Sequence, residues 1–120
     1  MKLALCTSAI LLAVLACVFA RDAREQARIE FLLHDVEQAK GVVFIRNGSE
    51  HPSSEAAKHL RMKLDYAGAR VQTAEDFVKL CASESYLTHQ RYKIRLAGGK
   101  TVDAGEYFTS RLREFDAQKQ

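Results

Sequence analysis

Arg46, Lys58, His59, Arg61, Lys63 and Arg70 concentrate basic side chains in the middle of the chain, with Asn47 next to the first of them. A guanidinium offers a planar fork of donors and an ammonium a point charge, so the set suits a carboxylate or phosphate. Arg46 leaves a predicted strand at the end from which the next predicted helix starts, where helix N-terminal amides add their own attraction. The simpler and favoured reading of the helix charges is a solvated face balanced by Glu55 and Asp65. On the anion reading, the candidate ligand-binding residues are Arg46, Asn47, His59, Arg61, Lys63 and Arg70. Tyr66 and Tyr92 add flat contact area, or else half-buried core rings.

Other chemistries find thinner support. Cys81 could act as a nucleophile with His34, His51, His59 or His89 as base, but its register groups it with Ala74, Phe77 and Val78 on an apolar face. Glu55 and His59 stand four apart on one helix face, as two metal ligands would, with His51 near the helix start. No third ligand has matching spacing, so surface ion pairing is the favoured explanation. Ser49, Ser53, Ser54, Ser83 and Ser85 sit where turns and caps want hydroxyls, and neither GxSxG nor Ser-x-x-Lys occurs. Gly98-Gly99-Lys100-Thr101 ends like a phosphate-binding loop but carries Ile94 where the first glycine belongs, and it reads as a turn. Asn47-Gly48-Ser49 is formally a glycosylation sequon and reads as a turn. No cofactor and no metal is expected.

Composition sets the frame. The 120 residues are 48% apolar and 28% charged, which argues against disorder and for a single domain. A formal charge of +3 is too slight to mark a nucleic-acid binder.

Residues 1–20 read as an export signal. Met1-Lys2 is the positive start, Leu3 to Phe19 an apolar run, and Val18-Phe19-Ala20 places small residues for cleavage between Ala20 and Arg21. An uncleaved anchor would need this run to span a bilayer at the bottom of the workable length range. A lipoprotein would use Val14-Leu15-Ala16-Cys17 as an approximate lipobox, with Cys17 acylated. Cleavage after Ala20 removes Cys6 and Cys17 and leaves Cys81 alone, so no internal disulfide can form. The expected location is periplasmic, with residues 21–120 as one domain and no transmembrane segment left.

The elements that must position the basic cluster follow from periodicity. Residues 24–40 predict a helix buried through Ile29, Leu32, Leu33 and Val36, with Arg28, Glu30, Asp35 and Glu37 off that face, ended by Lys40 and Gly41. Val42 to Ile45 predicts a strand covered on both faces, turned back at Asn47-Gly48. Ser53 is the expected cap of a helix from about Ser54 to Ala67, buried through Ala57, Leu60, Leu64 and Ala67 and ended by Gly68, with Lys58, His59, Arg61 and Lys63 on its remaining faces. Thr73 and Asp76 predict a capping box for a third helix. Ser83 to Gln90 is a polar connection. Tyr92, Ile94 and Leu96 alternate as a strand, Gly98-Gly99 turns it, and Asp103 with Glu106 predicts a second capping box opening a last helix with Ala104, Phe108, Leu112 and Phe115 inside. Asp116 to Gln120 is expected to be a polar tail. The order helix, hairpin, helix, helix, hairpin, helix predicts a compact α+β domain with helices on one side of the hairpins. An Ile-Arg start and a late Leu-Arg in both hairpin-helix pieces hint at a duplication.

The runs Phe44-Ile45-Arg46-Asn47-Gly48-Ser49-Glu50-His51, Glu55-Ala56-Ala57, His59-Leu60-Arg61-Met62-Lys63-Leu64 and Thr73-Ala74-Glu75-Asp76-Phe77-Val78 carry a resemblance. Together with Tyr66-Ala67-Gly68, Arg70-Val71, Ala82-Ser83 and Tyr92, they make the chain similar to the YfeK-type exported bacterial proteins, a domain of unknown function. Pro52 and the segment Glu84 to Arg91 depart from that pattern. The resemblance implies export from a bacterial cytoplasm and a single domain, and brings no activity. The leading expectation is a non-catalytic periplasmic binding or interaction module for a partner protein, a cell-envelope component or a small anion. The alternatives are a small envelope hydrolase using His59 with Glu55 or a serine, and an inhibitor of an exported enzyme acting through Ser83 to Gln90. The reading leans away from an enzyme. Intact mass of the protein from its host's periplasmic fraction should correspond to a chain starting at Arg21; a membrane-bound species starting at an acylated Cys17 would overturn that.

Overall fold

The computed structural model describes residues 20–119. The predicted export signal up to Phe19, with Cys6 and Cys17, lies outside the described residues.

Helix α1 spans Ala23–Gln38 and is capped by Asp22, whose carboxylate accepts from Arg24 N at 2.8 Å and Glu25 N at 3.4 Å. Its expected stripe of Ile29, Leu32, Leu33 and Val36 is wholly buried, each large side chain contributing roughly 1.5–3 kcal/mol. The helix stops at Gln38, before Lys40, and Gly41 turns the chain onward at φ 68°. Arg28 is not on a solvent face as its register suggests; it and Glu25 are buried.

Strands β1 (Val43–Arg46) and β2 (Ser49–Pro52) form the predicted hairpin, with Asn47 at φ 49° and Gly48 at φ 79°. Two left-handed residues make the turn whose twist matches the flanking strands. Strands β3 (Lys93–Arg95) and β4 (Thr101–Asp103) form the second hairpin, and the two combine in one antiparallel sheet of order β2-β1-β3-β4. Register aligns His51, Phe44, Ile94 and Val102 in one row across it. Phe44 and Ile94 in that row are buried, whereas Val43 and Ile45 on the other face are only partly covered. β1 is therefore covered on one face, not two. The outer face is held by charge instead: Arg95 reaches Glu50 at 2.5 Å, and Lys93 lies 3.6 Å from Asp103.

Helix α2 spans Ser53–Ala67 and buries the expected Ala57, Leu60, Leu64 and Ala67. Its cap position is Pro52, which makes no side-chain cap bond; Ser53 is the first helical residue and donates through Oγ to Ala39 O at 3.0 Å, tying α2 to the end of α1. Lys63, expected off the buried stripe, is itself buried. Gly68 ends the helix at φ 55° and a 3-10 turn follows over Gly68–Arg70. Helix α3, Ala74–Phe77, starts at the predicted Thr73–Asp76 capping box and widens into a π-helical turn over Val78–Ala82.

Helix α4 spans Ala104–Gln118. Asp103 caps it by accepting from Glu106 N at 3.3 Å, but the expected reciprocal bond from Glu106 is not made. Arg91, at 2.6 Å, holds the same carboxyl down to about 2. Gly105 approaches Ser83 so closely that a Cβ there would stand 2.8 Å from its Oγ. Phe115 is half-buried, stacked 4.5 Å from Phe31. Asp116 belongs to the helix rather than to a tail, because it is a partner of Arg28.

The element order is as predicted, an α+β domain. Arg28 ties three of its helices together through Glu25 and Glu75 at 2.6 Å and Asp116 at 2.9 Å. Arg28→Met would strand the Glu25 side chain, 12% exposed, without its cation. The expected loss in denaturant unfolding is about 3–5 kcal/mol. Glu75→Gln, at a side chain 63% exposed, should cost about 1 kcal/mol or less.

Candidate functional site

A groove of about 410 Å³ runs between α2, the connection Ser83 to Gln90, and the tip of the first hairpin. Helix α2 lines it with His59, Met62, Lys63 and Tyr66, which fall at i, i+3, i+4 and i+7 and so share one face. The connection supplies Tyr86 and Leu87 opposite, and Tyr92 stands between. Met62, Tyr66, Tyr86 and Leu87 are the exposed large apolar side chains among the described residues, Leu87 the most open at 93%.

The connection is fixed by its own hydroxyls. Ser83 Oγ donates to Val78 O at 2.6 Å, and buried Ser85 Oγ accepts from Leu87 N at 3.3 Å. Backbone bonds Ser85 N to Gln90 O and Tyr92 N to Ser83 O close the segment on itself. Thr88 Oγ1 donates to Asn47 Oδ1 at 2.7 Å, which joins the connection to the hairpin tip. Asn47 thus lines the groove, with its carbonyl already taken.

Lys63 is buried beside the groove. Its ammonium donates to Glu84 O at 3.0 Å and Tyr92 Oη at 2.9 Å, and lies 4.2 Å from the Tyr86 ring centroid and 4.8 Å from that of Tyr92. An ammonium has three donors, and two are accounted for. Burial pushes its pKa down from the usual lysine range. His59 is half-buried, with Arg46 Nη1 2.6 Å from its Nδ1 and 2.9 Å from its Nε2. Burial first, then the charges of Arg46, Lys63 and His51, bring it down to about 4, so at pH 7 it is a neutral ring. Arg70 stands at the rim, its guanidinium 5.6 Å over the Tyr66 ring.

Arg61 lies apart from the groove. It pairs with Glu37 at 2.9 Å and Glu30 at 3.4 Å on α1, an inter-helix tie. The groove thus gathers Arg46, Asn47, His59 and Lys63, borders Arg70, and leaves Arg61 out. Sequence reasoning passed over Met62, Tyr86 and Leu87. The helical offset from His59 was enough to find Met62, whereas Tyr86 and Leu87 sit in a stretch whose hydroxyls dominate its reading.

A second cavity, about 50 Å³, is walled by Phe44, His51, Ala82 and Phe108 and shares Arg46, His59 and Tyr92 with the groove. His51 Nδ1 is 2.8 Å from Glu55 Oε1, so Glu55 pairs with His51 and not with His59 as its spacing suggested. His51 Nε2 is buried and has no hydrogen-bond partner. Among the described residues no group of three or more His, Cys, Asp and Glu side chains is placed to hold a metal ion. Cys81 is fully buried in the core, as its register suggested, and burial pushes its thiol up, away from the thiolate a nucleophile needs.

The His59 shift sets a pH dependence. Its folded pKa lies below the unfolded value of 6.5, so the unfolded chain takes up the extra proton first and stability falls as pH drops from about 6.5 towards 4. After discounting for its partial exposure, the loss should be on the order of 1–3 kcal/mol. His59→Gln should flatten that part of a stability-versus-pH curve. Identical curves for the two proteins would contradict the assignment.

Among the described residues no helix is long and apolar enough to cross a membrane. No solved structure matches the chain. The uncharacterized protein YfeK of Salmonella typhimurium is 39% identical over 92 residues, covering 77% of each chain. Residues 23–116, which include every element of the sheet and both walls of the groove, match the model of a family of unknown function, and the chain belongs to that family, DUF5329.

Proposed function

We propose that the protein is an exported, non-catalytic binding module whose tyrosine-lined groove holds an anionic partner or cell-envelope component. The observation that carries this reading is where unpaired cations gather. Arg28, Arg61, Arg91, Arg95 and Arg111 each hold a carboxylate. Cations elsewhere, such as Lys40, Lys79 and Lys100, hold none among the described residues, but Arg46, Lys63 and Arg70, which also hold none, meet at one tyrosine-lined groove. Three cations on one apolar, concave surface without a counter-charge are what an external anion requires.

Export rests on the apolar start of the sequence and the cleavage pattern at Ala20. The chain beyond that position is engaged in the fold from its first residues: Arg21 Nε donates to Val71 O at 2.7 Å and Asp22 caps α1. Cleavage there leaves the domain whole. A binding role rather than catalysis suits a groove whose histidine is kept neutral by burial and a neighbouring guanidinium, with the Cys81 thiol buried in the core away from it.

The test is photo-crosslinking in the host from a photoreactive residue placed at Leu87. A crosslinked species that disappears on Arg46→Gln, with the protein's melting temperature unchanged, is the expected result. A crosslink indifferent to Arg46→Gln, or no crosslink at all, would overturn the groove as the site.

A further inference from the structure

We propose that the ligand of this groove is an acidic sugar: its anionic group lies on Arg46 and Lys63, its ring on Tyr66 and Tyr86, and one hydroxyl hydrogen-bonds His51 Nε2 in the cavity behind. The inference rests on the groove being a binding site, and narrows what it binds.

The argument starts from the unpartnered nitrogen. Glu55 Oε1 lies 2.8 Å from His51 Nδ1, which leaves Nε2 as the ring's one remaining polar atom. That atom is buried with no hydrogen-bond partner, and a buried polar atom without a partner is a costly state in a folded protein. Its cavity shares Arg46, His59 and Tyr92 with the groove, so one molecule seated on Arg46 can serve both. Such a molecule must carry two unlike groups: negative charge for the unpaired cations, and a hydroxyl for Nε2, which a hydroxyl can meet as donor or as acceptor. An ionised fatty acid or inorganic phosphate brings the charge without a suitably spaced hydroxyl, and a neutral sugar brings the hydroxyl without the charge.

The body between those groups must lie on flat aromatic surface. Tyr66 is 74% and Tyr86 42% exposed, with ring centroids 6.4 Å apart. The C–H face of a pyranose stacks on such rings while its edge hydroxyls stay free for hydrogen bonds. A groove of about 410 Å³ is within the range that encloses small ligands. Charge, hydroxyl and flat apolar face occur together in a uronic acid or a sugar phosphate.

Isothermal titration of the exported protein with glucuronate, glucose 6-phosphate, glucose, octanoate and inorganic phosphate tests this, with imidazole NMR of His51 read alongside. Glucuronate or glucose 6-phosphate should bind at least tenfold tighter than the other three and shift the His51 ring resonances. The first reading places the anion on a sugar acid, the second on a phosphorylated sugar. His51→Gln should erase most of the preference over octanoate while anion binding persists; Arg46→Gln should weaken every anionic probe. Octanoate matching glucuronate, or His51 resonances that stay put on saturation, would overturn the inference. If none of the probes binds while the Leu87 crosslink still depends on Arg46, the acidic sugar is wrong and the groove stands as a site for another partner. If both fail, the groove reading itself is wrong.

Discussion

A guanidinium taken out of water must have all five of its donors answered, and Arg28 achieves this by drawing three separate helices onto one point. Nε bonds Asp116, one terminal nitrogen bonds Glu25 and Glu75, and the other bonds Glu75 and Asp116. Glu25 Oε1 also accepts from Ala74 N, at the start of α3. The first turns of α1 and α3 and the last turn of α4 are therefore fixed by one charged group. The apolar stripes determine that these helices pack; the guanidinium determines where along their lengths they meet. Its partners are graded from buried Glu25 to exposed Glu75, so the hub sits at the margin of the core, where charge compensation and water access overlap.

Lys63 shows the opposite solution to the same problem. It too is buried, but its partners are a carbonyl, a phenol and two ring faces, all neutral. Two of its three donors are answered, and its charge has no counter-charge in contact. Arg46 is likewise without a counter-charge: its neighbour is a histidine kept uncharged by burial first and by that proximity second. Neither cation holds a carboxylate among the described residues, and both line the surface where tyrosines and apolar side chains lie open.

Much of this architecture could be read in advance, for identifiable reasons. Ile29, Leu32, Leu33 and Val36, or Thr73 with Asp76, are local patterns, and local patterns survive folding. Asn47-Gly48 dictated its turn because few other pairs tolerate two left-handed residues. Arg28 and Lys63 escaped because each lies one position from a core residue, Ile29 and Leu64, and a charge there is ordinarily solvated. Only the distant Glu75 and Asp116, or Glu84 and Tyr92, make their burial tolerable. The pairing of His51 with Glu55 spans the join between a strand and a helix, where neither period applies. Half of the candidate site was legible as a cluster of basic residues on one helix. The other half, Tyr86 and Leu87, is brought to it by a connection that has no periodic signature.

The sheet exposes two free edges, and each is blunted in its own way. β2 carries Ser49 and Glu50 and closes on Pro52, which has no N–H to offer an incoming strand. β4 is three residues long, and its Asp103 is occupied by Arg91 and Lys93. Edges of this kind resist recruitment of a second chain into a growing cross-β stack. A small domain with no disulfide among its described residues and one modest core is guarded against aggregation by the chemistry of its outermost strands, which leaves the exposed tyrosines and leucine of the groove free to be sticky for a different purpose.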